Sequence, residues 1–270
     1  MFRYITLMLL SVSYILGGVY YAKLEPFNLI TIKAEANGEV LVAKENLEGK
    51  VANGLVVRVD DRVNIEDLKN SQNLLKITND MIKLNKEILP DLKKNMDKKL
   101  KLYKQVINLD STSQNTKDTL YSAYISAKNQ YFATKEKILN LQSQRVNLKQ
   151  KIVNLKDLIR KKNIKVNNWY LYSLNVRRGE FVNIGYPLLQ IADISKAKLT
   201  IYLNREDLKD IDKKSIYIDG KKSNLKFYKI WKIADKEYIS SYKAEIVLKP
   251  FKRFSELVKV EIKWYRQLVH

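Results

Sequence analysis

The chain of 270 residues contains no Cys and a single His, His270, which excludes disulfides and both thiolate and multi-His metal sites. With no His-based triad and no short motif of paired carboxylates, we expect no enzyme and no cofactor. The formal net charge is +21, but it comes mainly from Lys dispersed along the chain, with no Arg-rich arm and no zinc module. This pattern is typical of solvated helix faces rather than nucleic-acid binding, although the positive field would favour anionic lipid surfaces or acidic partners.

An uncharged segment, Tyr4–Ala22, follows Arg3. Its length is near the lower limit for crossing about 30 Å of hydrocarbon, so we predict a transmembrane anchor over residues 1–24. The alternative is a cleaved signal peptide, but Tyr20 is too bulky for the third position before a cleavage site that follows Ala22. Under either interpretation the rest of the chain crosses the membrane, and the anchored form keeps Arg3 on the cytoplasmic side.

Short strands are predicted over residues 29–63. Apolar and polar residues alternate around Ile30 and Ile32, as they do in half-buried strands. Three glycines supply the positive φ of the tight turns that separate the strands: Gly38, Gly49 and Gly54. We call this segment the first ribbon.

Residues 65–166 are predicted to form an antiparallel coiled-coil hairpin. Two heptad series form an a/d seam in its second half, namely Leu120, Ala127, Thr134, Leu141, Leu148 and Leu155 with Tyr124, Tyr131, Ile138, Arg145, Ile152 and Ile159. The first half carries one apolar series and one mixed series, Leu68, Leu75, Ile82, Leu89, Met96 and Tyr103 with Ser71, Thr78, Asn85 and Leu92. Such seams bury only against another helix, and the polar segment 108–117 provides the turn. Each arm would extend about 60 Å, with a bend or break at Pro90.

A second ribbon, residues 168–195, repeats the first imperfectly. A frame of two glycines, a valine and a final aspartate recurs with a one-residue difference in register, pairing Gly49, Val51, Gly54 and Asp60 with Gly179, Val182, Gly185 and Asp193. Pro187 follows the second glycine of this ribbon. Two half-motifs on either side of a helical hairpin predict one β-domain into which the hairpin is inserted.

Strand patterns resume over residues 197–264. Apolar alternation recurs in several short runs around a helical turn at residues 205–209, and Asp219-Gly220 is a strong hairpin signal. Four or five such strands predict a small β-barrel. The fold class that we predict is therefore α+β, with several domains in one chain.

This order of parts resembles the HlyD-type membrane fusion proteins, the periplasmic adaptor subunits of tripartite efflux and secretion systems. The resemblance implies a transmembrane helix, a split lipoyl-like β-sandwich with an inserted coiled-coil α-hairpin, and a C-terminal β-barrel. It also implies a non-enzymatic, single-pass inner-membrane protein with most of its chain in the periplasm. Because the hairpin replaces the turn that carries the modified Lys of true lipoyl domains, neither lipoate nor biotin is expected.

The same resemblance implies partners. They are an inner-membrane transporter of the RND or ABC type, an outer-membrane channel of the TolC type, and further copies of the chain, six by analogy, with no nucleic acid. In the efflux branch a spaced pattern at the hairpin tip docks onto the channel, and its last three positions fall here on Val106, Ser113 and Asp118. Leu102 stands where the pattern has Arg. We take these three residues and Leu109 as the candidate partner-binding tip, and Ser113 is equally suited to cap the second helix.

Other functions fit parts of the sequence. Within the same class, the chain could serve an ABC-type exporter of peptides or proteins rather than a pump for small molecules. From other classes, the rivals are a membrane-anchored coiled-coil scaffold acting on the cell wall and a basic nucleic-acid-binding protein. A scaffold would not require the two ribbons to pair with each other, so their pairing separates it from an adaptor.

Overall fold

A computed structural model describes residues 18–249 and 254–264. The described chain is α+β, with antiparallel strands and a long helical hairpin. The strands are β1 (Gly18–Lys33), β2 (Gly38–Ala43), β3 (Val51–Val59), β4 (Asn163–Leu174), β5 (Phe181–Val182), β6 (Pro187–Asn204), β7 (Lys214–Ile218), β8 (Lys221–Lys222), β9 (Phe227–Ile230), β10 (Ser241–Leu248) and β11 (Leu257–Trp264). The helices are α1 (Arg62–Val106), α2 (Gln114–Lys162) and the short α3 (Arg205–Leu208).

Both ribbons contribute to one hydrophobic core, which defines the first β-module. Strand β3 pairs antiparallel with β4 across the hairpin insertion, from Val51 opposite Tyr170 to Arg58 opposite Asn163. The side chains of this core come from both sides of the insertion: Ala34, Val40, Ala52, Val56, Val57, Val59, Ile164, Val166, Leu171, Leu174, Val176, Val182, Leu188, Leu189 and Ile191. The Val and Ile residues of the ribbons thus bury against each other, because alternate side chains of each strand face the same side.

The glycine turns tie each ribbon to the other through backbone hydrogen bonds. The N–H of Gly49 donates to the carbonyl of Leu171 at 2.9 Å, and the N–H of Gly179 donates to that of Val40 at 2.8 Å. Gly185 donates to the carbonyl of Ala34, also at 2.8 Å. Three of the predicted turn glycines have positive φ between 75° and 90°: Gly49, Gly179 and Gly185. Gly54 has a φ of +89° but lies inside β3, next to an irregularity in the pairing with β4, so the predicted turn between two strands is wrong there. Pro187 begins β6, opposite Lys33 of β1.

Gly38 is the most constrained of these turns. Its φ is +150°, and a Cβ built there would lie 2.8 Å from Cγ1 of the buried Val59. We expect Gly38→Ala to lower the free energy of unfolding by about 1–3 kcal/mol, through strained backbone and overlap in the core. Gly54→Ala is the matched control, because its φ is +89° but nothing lies within 4 Å of its added Cβ. Urea unfolding should show the larger loss for Gly38→Ala, and equal losses would contradict the overlap.

A second β-module has its own core. It contains the first part of β1, the last part of β6 and strands β7–β11, which close around Ala22, Leu24, Ala197, Leu199, Ile201, Leu203, Ile216, Ala244, Ile246, Leu248, Val258, Val260 and Ile262. Strand β1 pairs with β11 through residues 18–23 and with β6 through residues 24–33. The long strands β1 and β6 therefore run through both modules.

Strand β1 corrects the predicted end of the anchor. Residues 18–24, placed in the transmembrane segment from sequence, alternate between buried and exposed positions, with Ala22 and Leu24 in the core and Val19 and Tyr21 exposed. An uncharged segment alone does not separate a strand of this kind from a membrane helix. The rest of the predicted anchor, residues 1–17, lies outside the described residues. Within the described part of the chain, no helix is both long and apolar enough to cross a membrane.

The hairpin arms pack as the heptads predict, with one difference. The buried residues of α2 all belong to the two predicted series: Ala127, Ile138, Leu141, Leu148, Ile152 and Leu155. In α1 the buried residues are Ser71, Thr78 and Ile82, so the mixed series contributes small polar side chains to the seam. The buried hydroxyl of Thr78 has a hydrogen-bond partner, because Oγ1 donates to the carbonyl of Leu74 at 2.8 Å.

Of the predicted bend or break at Pro90, the break is wrong, because α1 continues through this residue to Val106. Proline removes one backbone donor and leaves the carbonyl four residues earlier, that of Lys86, without its helical partner. Both Pro90 and Lys86 are exposed, so water is available to that carbonyl and the helix does not have to end.

Hydrogen bonds fix the base of the hairpin to the first β-module. Lys162 Nζ donates to the carbonyl of Asp60 at 2.7 Å and to Asn64 Oδ1 at 2.8 Å. Asn163 Nδ2 donates to Asp61 Oδ2 at 2.6 Å, and Asp61 is only 2% exposed. The first residues of α1 and the last residues of α2 are therefore hydrogen-bonded to each other and to the end of β3 where the hairpin leaves the first β-module.

Candidate functional site

The hairpin tip is a seven-residue turn, residues 107–113, between α1 and α2. Ile107 donates its N–H to the carbonyl of Tyr103 at 3.1 Å, and Leu109 donates to that of Val106 at 3.1 Å. These bonds continue the helical winding of α1 into the turn. The tip is thereby held close to the helix end rather than extended as a long loop.

Ser113 and Asp118 have local roles at the start of α2. Ser113 is the N-cap, and its Oγ accepts from the backbone N–H of Thr116 at 3.4 Å and lies 2.9 Å from Thr116 Oγ1. Asp118 Oδ1 accepts from Gln114 Nε2 at 2.9 Å. Both Ser113 and Asp118 are exposed, so capping leaves them accessible to a partner.

Apolar side chains surround these polar groups. Leu109, Ile107 and Leu102 are exposed, whereas Val106 is half-buried. The structure thus brings the four predicted tip residues to one end of the hairpin, and it adds Ile107, which sequence reasoning missed. The available signal was an isoleucine beside the otherwise polar segment 108–117, which solvation alone does not explain.

Aromatic rings brace the arms behind the tip. The rings of Tyr103 and Tyr121 lie 5.2 Å apart, and those of Tyr121 and Tyr124 lie 6.4 Å apart. Such tilted pairs contribute about 0.5–1.5 kcal/mol beyond their buried area. The ring pair of Tyr103 and Tyr121 therefore connects α1 to α2 behind the tip.

Each arm also carries an exposed apolar stripe outside the seam between the arms. The α1 stripe has spacings of three and four residues and consists of Leu74, Ile77, Met81, Leu84 and Ile88. The α2 stripe recurs every seven residues and consists of Phe132, Leu139, Val146 and Val153. Exposed fractions run from 37% to 57% in the first stripe and from 48% to 60% in the second. Heptads exposed on this scale are typical of a coiled coil whose partner is not part of the same chain.

The two stripes lie at the same height and on opposite faces of the hairpin. The contacts of Asn64 with Lys162 and of Tyr103 with Tyr121 set a register in which Leu74 is level with Val153, to within one helical turn. At about 100° per residue, the α1 stripe is displaced from the centre of its seam by about −100° and the α2 stripe by about +130°. Because the arms are antiparallel, the two displacements are rotations in the same sense when both helices are viewed from one end of the hairpin. The α1 stripe and the α2 stripe therefore lie on opposite faces of the hairpin.

Comparison of the sequence with protein-family models and with curated proteins gives no match. Solved structures do match. MacA from Actinobacillus actinomycetemcomitans is 18% identical and covers 92% of this chain and 78% of its own, with a TM-score of 0.63. The membrane fusion protein Spr0693 from Streptococcus pneumoniae R6 is 10% identical and covers 92% of this chain and 100% of its own, with a TM-score of 0.50. The chain has the fold of a membrane fusion protein.

A third solved structure with this fold is a chimeric protein whose hairpin comes from a different relative. It joins MacA to the α-hairpin domain of Pseudomonas aeruginosa MexA, is 15% identical to this chain, covers 92% of it and 81% of its own length, and has a TM-score of 0.57. In that protein the hairpin is thus a unit that can be exchanged between relatives. The hairpin of the present chain is inserted between two paired strands, β3 and β4.

Several ionisable groups near the base of the hairpin form ion pairs. Hydrogen bonds from Arg62 hold the pKa of Asp60 well below its usual value. Hydrogen bonds from Lys161 and Arg160 likewise lower the pKa of Asp157. These carboxylates stay ionised and serve the hairpin base. Among residues 18–249 and 254–264, no cluster of three His, Cys, Asp or Glu side chains could hold a metal ion.

Proposed function

We propose that this protein is a non-catalytic periplasmic adaptor that bridges an inner-membrane transporter, of the RND or ABC type, to an outer-membrane channel of the TolC type. One observation carries the proposal. Two distant ribbons share one core, and from it projects a hairpin whose arms are 45 and 49 residues long. At 1.5 Å per residue the arms extend about 70 Å. That reach suits a protein that spans a gap, and the exported molecules would be small molecules in efflux or secretion.

In this proposal the first β-module is the split lipoyl-like domain, formed by residues 29–63 and 168–195. The second β-module is the β-barrel, formed by residues 197–264 with the start of β1 added. The proposed inner-membrane attachment is the uncharged segment that precedes β1, residues 4–17, which as a helix would be about 21 Å long and so shorter than the hydrocarbon thickness of about 30 Å. The pairing of β3 with β4 favours the adaptor over a cell-wall scaffold, because a scaffold needs only the coiled coil.

The proposal includes self-association of the hairpins side by side, six copies by analogy with the family. The two stripes support this arrangement, because opposite faces at one height allow the α1 stripe of one copy to pack on the α2 stripe of the next. Charge supports the same pairing. Residues 62–92 contain five basic and five acidic side chains, whereas residues 132–156 contain six basic and one acidic. Packing α2 on α2 would bring like charges together.

Photo-crosslinking tests the tip as the channel-binding end. A photoreactive amino acid in place of Leu109 should yield a crosslinked product with an outer-membrane protein in cells, because Leu109 is exposed at the tip. The matched control is the same substitution at Asn79, which is exposed on α1 far from the tip, and it should yield no such product. Identical products at both positions, or none at Leu109, would rule out tip docking.

A further inference from the structure

Strand β1 begins at one end of the second β-module. The strand register places the loop of residues 231–240 at that same end. Gly18 is the first residue of β1, and nearby Tyr20 accepts a hydrogen bond at its hydroxyl oxygen from the backbone N–H of Asn204 at 3.2 Å. Asn204 pairs in turn with Ser241, the residue directly after the loop. The start of β1, the end of β6 and the loop therefore lie at one level.

A cleft joins the loop to the start of β1. It measures about 560 Å³, and four tyrosines line it: Tyr20 and Tyr21 from β1, Tyr202 from β6 and Tyr238 from the loop. Tyr21 and Tyr238 are exposed. The residues that precede Gly18 in the sequence, 4–17, carry no charge. An exposed aromatic pair next to such a segment is typical of the boundary between water and a bilayer.

The loop presents two large apolar side chains to solvent. Ile233 is 82% exposed and Ile239 is 85% exposed, among the highest values for apolar residues in the described chain. The loop is nevertheless internally bonded, because Asp235 Oδ1 accepts from two backbone N–H groups at 2.9 and 3.2 Å. Tyr238 also stacks on Tyr202 of β6, with ring centroids 4.0 Å apart. The exposure of the two isoleucines is therefore built into the fold.

Basic side chains surround an indole at the base of the loop. Lys229 Nζ lies 4.3 Å and Lys243 Nζ 4.9 Å from the ring centre of Trp231. Lys243 Nζ is also paired with Glu245 Oε1 at 3.9 Å. Beside it is a cavity of about 410 Å³ with three cationic and no acidic side chains in its lining: Arg205, Leu208, Lys209, Ile230, Trp231, Lys232 and Tyr242. Lysine and arginine stems of this kind lie along apolar surface and extend their charges toward anions.

We propose that the loop of residues 231–240 inserts into an anionic bilayer surface and forms a second membrane attachment beside the N-terminal segment. Ile233 and Ile239 enter the boundary between headgroups and acyl chains, and the cations around Trp231 bind lipid phosphates. The loop itself is neutral, with Asp235 and Glu237 balancing its two lysines, so the attraction to anionic lipid comes from the patch at its base. This inference goes beyond the bridging role and rests on the proposed function only in taking the N-terminal segment as the first attachment.

A single-cysteine fluorescence experiment on the full chain tests this attachment. The sequence has no Cys, so Ile239→Cys can be labelled uniquely with the polarity-sensitive dye NBD. Ile184→Cys is the control, because Ile184 is 68% exposed but lies next to the first β-module. Each labelled protein is reconstituted into nanodiscs of phosphatidylcholine alone or mixed with phosphatidylglycerol, and brominated acyl chains serve as the quencher.

The dye at position 239 should shift to the blue and be quenched by brominated lipid in the anionic discs, whereas the dye at 184 should do neither. Lys209→Glu with Lys232→Glu should reduce the shift at 239. Emission at 239 equal to that at 184 in both lipids would overturn the proposal. A shift that needs native membranes and is absent in pure lipid would overturn it in favour of a protein partner, and an equal shift in both lipids would overturn the role of the cations.

Discussion

Replacing Leu171 by Ala is expected to lower the free energy of unfolding of the first β-module by about 2–5 kcal/mol, because burial is lost and a cavity remains. Leu171 is completely buried. It lies on β4 after the hairpin, and the core around it includes side chains of β3 from before the hairpin. Its backbone N–H also donates to the carbonyl of Lys50 at 2.9 Å. The substitution therefore weakens the contact between the ribbons themselves.

Urea unfolding followed by the fluorescence of Trp169 measures this loss, since Trp169 packs against the same core. Trp231 and Trp264 are replaced by Phe so that Trp169 is the only reporter. Leu29→Ala is the matched control, because Leu29 is 54% exposed on β1 and pairs with β6 in the same module. Its expected effect is below about 1 kcal/mol. If the two substitutions cost the same, the ribbons do not share a core in solution.

The features that could be predicted from sequence are those with a local physical cause. The two ribbons were found through glycines at positions such as Gly49 and Gly179, because tight turns with positive φ favour that residue. The arms were found because seven-residue spacing brings side chains to one face of a helix. The buried side chains of α2 follow from this spacing alone. The capping role of Ser113 also has a local cause, and the structure places Ser113 at the cap.

The features that were missed depend on what lies beside a segment. Val19 and Tyr21 are exposed on β1, but an uncharged segment has the same composition in a strand and in a membrane helix. Pro90 was expected to bend or break α1. Whether a helix ends at a proline depends on the water available to the carbonyl four residues earlier, here that of Lys86. The two stripes and the loop residues Ile233 and Ile239 are apolar positions that the described part of the chain leaves exposed. Spacing alone does not show which of two apolar seams is covered by residues of the same chain.

Replacing Leu84 or Leu139 by Asp is expected to raise the dissociation constant of self-association by about 10- to 100-fold at each interface. Leu84 belongs to the α1 stripe and Leu139 to the α2 stripe, and the register of the arms puts them level with each other. A carboxylate in such a seam loses the apolar burial and must also be desolvated. Sedimentation velocity over a range of concentrations measures the change. Asn79→Asp and Asn140→Asp are the controls, because they add the same charge at exposed positions outside the stripes.

A charge pair decides how neighbouring copies meet. If α1 of one copy packs on α2 of the next, a chain carrying both Leu84→Asp and Leu139→Lys places opposite charges at every interface, and part of the lost association should return. If α1 packs on α1 and α2 on α2, the same chain places like charges together, and association should fall further than in either single variant. The first arrangement has no natural end until copies close into a ring, because each copy presents one unfilled face of each kind. Recovery in the double variant would therefore support a tube of hairpins, whereas a further loss would support pairing of like stripes and contradict the proposed assembly.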